Sequence, residues 1–320
     1  MTSAYLGMLF GFINTSTLHL SKGMQRQGIE TLRWWKLPRS ERSSGKAFIY
    51  IGGVILNNMT PFWLILANRF AAPAYATGMF GLGLVVLLIY SHFILGEPVD
   101  PVNYAGAGLI VAGTVLFALH AISHGRVSVS QFDPVLVGWI AGGYVVGAGL
   151  FALFVVRTGR RFLFAAAFGL LSGGMASLDP VMKALGQWAG GIPAFLPVVA
   201  WGWLPFLASF VLGTAAFLAS QFAFLKGADA STMVPVQTSV YVLLPVVVQL
   251  AALPDYDLTP TLALGMLVIS GGIVMTQMGR RTEQTAPGAD GRAVANAIER
   301  ALARAREQRH SAHTHTREDS

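Results

Sequence analysis

Residues Phe62 to Leu119, FWLILANRFAAPAYATGMFGLGLVVLLIYSHFILGEPVDPVNYAGAGLIVAGTVLFAL, recur in altered form as Ala219 to Gln277, ASQFAFLKGADASTMVPVQTSVYVLLPVVVQLAALPDYDLTPTLALGMLVISGGIVMTQ. Arg69 falls on Lys226, Ala71 on Ala228, Val85 on Val242 and Leu87 on Leu244; after a small loop difference, Gly106 and Gly113 fall on Gly265 and Gly272. An odd number of hydrophobic spans separates the copies, so the second is expected to run upside down relative to the first. Inverted-topology repeats in an apolar chain are the usual build of a secondary transporter, with its site near the bilayer midplane where the halves meet.

The 320 residues are 54% hydrophobic and only 12% charged, against roughly 25% charged in a soluble domain. This is the composition of a membrane protein. The net charge of +7 does not point to nucleic acid, because the basic residues sit in loops beside apolar spans and at the C-terminus, as the positive-inside rule requires. With no cysteine, disulfides, thiolate metal sites and thiol nucleophiles are excluded. Met1 to Tyr5 has no basic n-region and runs into a span too long for a signal-peptide core, so it is expected to stay as the first membrane helix.

A helix needs about 20 apolar residues to cross the hydrocarbon. Windows of that kind fall at 4–23, 47–68, 73–95, 103–122, 134–156, 162–183, 198–225, 232–253 and 260–278, which predicts an all-α, polytopic protein of about nine membrane helices. Residues 1–122 form a first four-helix module, 123–161 carry a connecting fifth span, 162–279 form a second, inverted module, and 280–320 form a basic tail. Breaks are expected at Gly190 to Pro193 and, as a very short connection, around Ala71 to Ala74. Arg26, Arg33, Lys36, Arg39, Arg42 and Lys46 follow span one, Arg157, Arg160 and Arg161 follow span five, and Arg280 and Arg281 open the tail. That bias predicts an external N-terminus and a cytoplasmic C-terminus in the cytoplasmic membrane. In the tail, Val294, Ile298, Ala301, Leu302 and Ala305 share one stripe of a basic helix that could lie on the anionic leaflet; a disordered solubilising tail is the alternative. His310, His313 and His315 are assigned no site.

Ionisable residues inside a membrane are costly and therefore functional candidates. Asp179 lies deep in span six, followed by Pro180, on one face with Ser172, Ala176 and Lys183. The proline is expected to kink the helix and expose backbone oxygens beside the acid, which would suit a cation or amine; an Asp179 to Lys183 ion pair is the structural alternative. Span one offers Asn14, Thr15, Ser16, His19 and Lys22, with Thr15, His19 and Lys22 on one face. His19 could carry a proton or simply bond a neighbouring helix, and Lys22 could snorkel to the interface. Asn57, Asn58, Thr60 and Trp63 in span two, and Gln221, Gln237 and Tyr241 in spans seven and eight, supply neutral hydrogen-bonding groups or interhelical polar contacts. Asn58 with Phe62 and Trp63 could wall a cavity that takes amphipathic or cationic solutes. The paired glycines 81/83, 106/108, 142/143 and 271/272 permit close crossings. The sequence contains no Walker loop, zinc-spaced histidine pair or nucleophile elbow, so an enzyme is not expected.

From Pro61 to Ala121 the order is Pro-Phe-Trp, a short Ala-Pro turn, a Gly-rich span ending Leu95-Gly96-Glu97-Pro98, then Gly106 through Leu109-Ile110-Val111-Ala112-Gly113. This resembles the small multidrug resistance transporters and the wider drug/metabolite transporter superfamily. The second half resembles the NIPA magnesium-transporter branch in Met182-Lys183-Ala184-Leu185-Gly186, in Gln221 through Phe224-Leu225-Lys226-Gly227-Ala228-Asp229, and in Val234-Pro235-Val236. The departures are specific. Phe12-Ile13-Asn14 lacks the proton-exchanging acid of the multidrug transporters, Leu225 replaces the NIPA asparagine, and Thr77-Gly78-Met79 lacks the proline of the first-half motif. Glu97 reads as a cap and interface anchor.

The resemblance implies a carrier of a small solute by alternating access, a magnesium or other divalent-cation transporter being one rival and a non-transporting scaffold the other. Asn14, Thr15, His19, Asn58, Trp63, Asp179, Gln221, Gln237 and Tyr241 are the expected cavity residues. Asp179 is the charge partner, and the metal ligand if a cation is carried. No cofactor is expected; the partners are the bilayer, the solute and, if the chain forms a homodimer, a second copy.

Overall fold

The computed structural model describes residues 2–27, 44–96, 99–124, 132–228, 230–254 and 256–285. Every regular element among them is helical: α1 (Thr2–Gln27), α2 (Ser44–Phe70), α3 (Pro73–Gly78), α4 (Phe80–Phe93), α5 (Pro101–His124), α6 (Pro134–Val156), α7 (Arg161–Trp188), α8 (Trp203–Leu225, entered through a 3-10 turn at Ala200–Gly202), α9 (Ala230–Ala252) and α10 (Pro260–Thr285). The first basic loop, Glu97 and the C-terminal tail from 286, with its expected amphipathic helix and histidines, lie outside the described residues.

Seven helices are long and apolar enough to cross a membrane, α3 and α4 acting as one 21-residue span from Pro73 to Phe93. The chain is therefore a polytopic helical membrane protein. Two of the nine expected spans stand apart on composition. In α10 the apolar part among the described residues, Pro260–Thr276, is shorter; α1 carries the polar run from Asn14 to Lys22, and it buries Asn14, Thr15, His19 and Ser21 against protein.

Local chemistry starts and stops these helices where the sequence changes. Proline opens α3, α5, α6 and α10, a position where its missing N–H has no helical partner to lose. Asp133, legible in the sequence only as a loop charge, caps α6: its carboxylate accepts from Val135 N at 2.9 Å and Leu136 N at 3.1 Å. Asp133→Ala is expected to cost about 1 kcal/mol, read as a small drop in thermal unfolding temperature in detergent. At the other end of α8, Gly227 adopts φ 83°, with Gly227 N bonded to Phe224 O and Ala228 N to Ala223 O. Those two bonds and the left-handed glycine make a Schellman stop, so Lys226-Gly227-Ala228 has a structural use apart from any family likeness. The break at Gly190 to Pro193 occurs as expected, with Gly191 at φ 79°.

The packing is arranged in corresponding pairs. α1 packs on α2 as α7 packs on α8; α1 lies along α3 and α4 as α7 lies along α9; α4 meets α5 as α9 meets α10; and α5 packs extensively on α10. Without a hydrophobic drive between helices in lipid, close van der Waals approach has to hold such a pair. On α5 and α10 it is provided by glycines. A Cβ at Gly106 would stand 2.8 Å from Gly272 O, one at Gly113 2.9 Å from Gly265 O, and the reverse substitutions meet Gly113 O at 3.1 Å and Gly106 O at 2.7 Å. α6 runs along the periphery, touching mainly α7, and turns Trp139, Leu150, Leu153 and Phe154 outward.

The helix α7 runs through Pro180 without a break, from Arg161 to Trp188. The carbonyl that takes a donor from outside is Pro180's own, bonded by Asn68 Nδ2 at 2.9 Å, because that neighbour, not solvent, stands at the face where the proline sits.

Candidate functional site

Where the two sets of helices face each other they do not close. A cavity of about 760 Å³ is walled by α1, α2 and α4 from one set and by α7, α8 and α9 from the other. The lining falls in the later halves of α1 (Leu18 to Gln25) and α8 (Gly213 to Phe224), the middle of α2 (Val54 to Thr60) and the first half of α9 (Val234 to Tyr241). Following the chain up and down, these segments lie from mid-bundle toward the end where α1 stops at Gln27, α7 starts at Arg161 and α8 stops at Leu225. This is the end at which the arginine-rich connections leave.

Rings close the inner part of the cavity. His19 meets Phe80 edge to face at a centroid distance of 4.9 Å, and Phe80 lies 4.4 Å from the Tyr241 ring, so α1, α4 and α9 meet there. Thr15 Oγ1 donates to Phe80 O at 2.9 Å, and Gly83 leaves room for α1, since a Cβ there would reach the Thr15 carbonyl at 2.6 Å. Toward the mouth, the walls carry amides and hydroxyls: Gln25 Nε2 donates to Gly53 O at 3.2 Å, Ser21 Oγ to Asn57 Oδ1 at 3.4 Å, and Gln237 Nε2 to Ser220 Oγ at 3.4 Å.

At the opposite end a seal of hydrogen bonds joins α2 of one set to α7 of the other. Besides the Asn68 bond to Pro180, Gln187 Nε2 donates to Ile65 O at 3.0 Å and Trp188 Nε1 to Asn68 O at 2.7 Å. Asn68 and Gln187 are fully buried, which makes these bonds costly to lose. Gln187 also reaches Ala194 O at 3.1 Å, tying the broken segment after α7 to the same seal. Beside it, Tyr256 of the α9–α10 connection is buried against Tyr75, ring centroids 6.2 Å apart. Burial first, and Tyr75 second, push its hydroxyl well above the ordinary phenol range, so it stays neutral.

Of the residues expected from sequence, His19, Gln221, Gln237 and Tyr241 line this cavity. Asn14 and Thr15 are buried in α1 one turn or more deeper. Asn58 is exposed, bonds its own helix at Val54 O, 2.8 Å, and is not among the lining residues. Trp63 stacks on Phe10, 6.3 Å between centroids, between α1 and α2. Asp179 is not in the lining: Lys183 Nζ donates to its carboxylate, and the same ammonium stands 4.3 Å over the Phe210 ring. The acid is close behind the wall, since a Cβ on cavity-lining Gly213 would lie 3.8 Å from the Asp179 carboxyl carbon. Among the described residues no group of three or more His, Asp and Glu side chains is placed to hold a metal ion.

The seal does not stand out in the sequence. Asn68, Gln187 and Trp188 escape a search for charged and clustered polar residues, although a buried Asn or Gln near the end of an apolar span is the signature of an interhelical bond. Lys22, near the end of α1, is exposed and belongs to the cavity lining.

No family model, curated protein or solved structure matches this chain.

Proposed function

We propose that this protein is a secondary transporter that moves a small solute by alternating access between two inverted four-helix modules, α1–α5 and α7–α10, with α6 crossing between them. The observation that carries the reading is a cavity between the modules, set toward one end of the bundle, with side-chain bonds joining α2 to α7 toward the other. Its volume lies within the roughly 300–1,000 Å³ of small-molecule sites. A scaffold needs no such void, and an apolar seam would pack more stably.

The glycine contacts support the inverted repeat. Exchanging Gly106 with Gly265 and Gly113 with Gly272 turns the contact Gly106–Gly272 into Gly265–Gly113, which is the other contact made. Pairs that map onto each other under exchange are what a two-fold axis requires. Proline also opens α5 and α10 at corresponding places, Pro101 and Pro260. On this reading α1 and α10 complete nine spans: a helix whose polar side faces protein needs apolar atoms only on the side that meets lipid. The membership in the drug/metabolite superfamily suggested by the short motifs fits this architecture, and the arginine bias makes the open end cytoplasmic.

The seal is the testable element. Each bond of a buried amide is worth ~1–3 kcal/mol, so removing one is expected to shift the balance between states ~5- to 150-fold toward opening at the sealed end. Ile65→Cys in this cysteine-free chain reports it. In Asn68→Ala and in Gln187→Leu, the thiol is expected to react many-fold faster with an impermeant reagent applied from the sealed side of reconstituted vesicles. Ile65→Cys unreactive from that side in all variants, with no solute flux, would remove the transporter reading.

A further inference from the structure

The described lining of the cavity carries one strongly acidic or basic side chain, a lysine. Among its described lining residues, Lys22 is the one lysine, arginine, aspartate or glutamate, and the titratable groups that share the lining are His19, on the same helix, and Tyr241. No acid is among those described lining residues, and Asp179, behind the wall at Gly213, is engaged by Lys183. Lys22 itself is exposed, and no carboxylate among the described residues pairs with it. Around it stand neutral groups with N–H and O–H to offer. Asn57 lines the wall beside Ser21 from α2, and Gln221 and Thr238 line the opposite wall from α8 and α9. An ammonium ringed by neutral donors attracts an anion through charge-assisted bonds and repels a cation, more strongly in a partly enclosed space than in water.

We infer that the cavity takes a small organic anion, its carboxylate or phosphate group held by Lys22 Nζ, and discriminates against cationic solutes. The inference rests on the reading of this cavity as the transport site, and names its substrate class. It reverses the expectation that an acid in span six selects a cation or amine: the acid's charge is neutralised on its own helix, while the lysine one turn past His19 meets the solute. One lysine suits a solute presenting one anionic group.

The absence of cysteine makes the test direct, because one introduced thiol is the only one in the chain. Val234→Cys places it in the lining. Its modification by sulfonatoethyl methanethiosulfonate, an anion, is compared with that by the trimethylammonioethyl cation, alone and combined with Lys22→Met or Lys22→Arg. The anion-to-cation rate ratio is expected to fall at least tenfold with Lys22→Met and to persist with Lys22→Arg; the rate with neutral methyl methanethiosulfonate checks that each variant keeps its fold. In a second arm, benzoate, phenyl phosphate and benzylammonium compete against the neutral reagent. Protection by benzoate, by phenyl phosphate or by both, lost in Lys22→Met, supports the assignment and tells carboxylate from phosphate. A ratio indifferent to Lys22, protection by benzylammonium, or a reactive thiol that no probe protects overturns it. None of those outcomes touches the transporter reading, which is decided by the side from which the Ile65→Cys thiol is reached.

Discussion

Asp179→Ala is expected to destabilise the folded protein by about 3–5 kcal/mol, the cost of leaving one member of a buried ion pair alone, measured as thermal unfolding in detergent. Lys183→Met is expected to cost less. The asymmetry follows from placement: the Lys183 side chain is 2% exposed and that of Asp179 19%, so losing the acid strands an ammonium in a dry interior, while losing the lysine leaves a carboxylate that still meets some solvent near the cavity wall. Phe210 offsets part of the first loss, since a cation over a ring face is worth ~0.5–2 kcal/mol. The double variant Asp179→Asn with Lys183→Met removes both charges at nearly constant volume and is expected to recover most of the stability. Equal and additive losses would show that the two groups act independently. If the pair serves only stability, the double variant also keeps solute flux; loss of flux in a stable double variant would give the acid a direct part in transport.

Gly113→Leu is expected to be as damaging for a different reason. A Cβ at Gly113 already stands 2.7 Å from Ile269 N and 2.9 Å from Gly265 O. Both are backbone atoms that no rotamer change can move. Four extra carbons would force α5 and α10 apart along the seam that joins the modules. The overpacking costs about 3 kcal/mol or more, and the separation also weakens the close backbone approach that holds the two helices together. Gly272→Leu is expected to do the same, because its Cβ would meet Gly106 O at 2.7 Å. Gly108→Leu is the control: it lies on the same helix as Gly113 with nothing within 4 Å of its Cβ position. Yield of folded protein from the membrane and its unfolding temperature separate the cases; a benign Gly113→Leu would show that α5 and α10 do not meet as described.

The composition and the span lengths made the helical membrane architecture legible, because burying backbone polar groups in hydrocarbon leaves an uninterrupted apolar chain few alternatives to helix. The close crossing of α5 and α10 was legible at Gly106, Gly113, Gly265 and Gly272, where only hydrogen fits between the backbones. Four of the expected cavity residues, His19, Gln221, Gln237 and Tyr241, line the cavity. Asn58 and Trp63 illustrate the limit. They are polar and aromatic in a span, as a site residue would be, yet which way a side chain faces depends on helix rotation, and neighbouring positions of a helix differ by about 100°.

Asp179 and Lys22 divide the rest. Sequence alone determined that this chain is a bundle of membrane helices and which few polar residues its hydrocarbon spans must accommodate, since apolar run length and the cost of a buried charge are properties of the chain itself. Only tertiary structure decided which of those charges is spent on its own helix and which meets the cavity, and that Asn68, Gln187 and Trp188 bond α2 to α7. Those outcomes depend on how helices far apart in sequence rotate and approach, and a charge one turn from its partner is neutralised while the same spacing without a partner leaves it exposed.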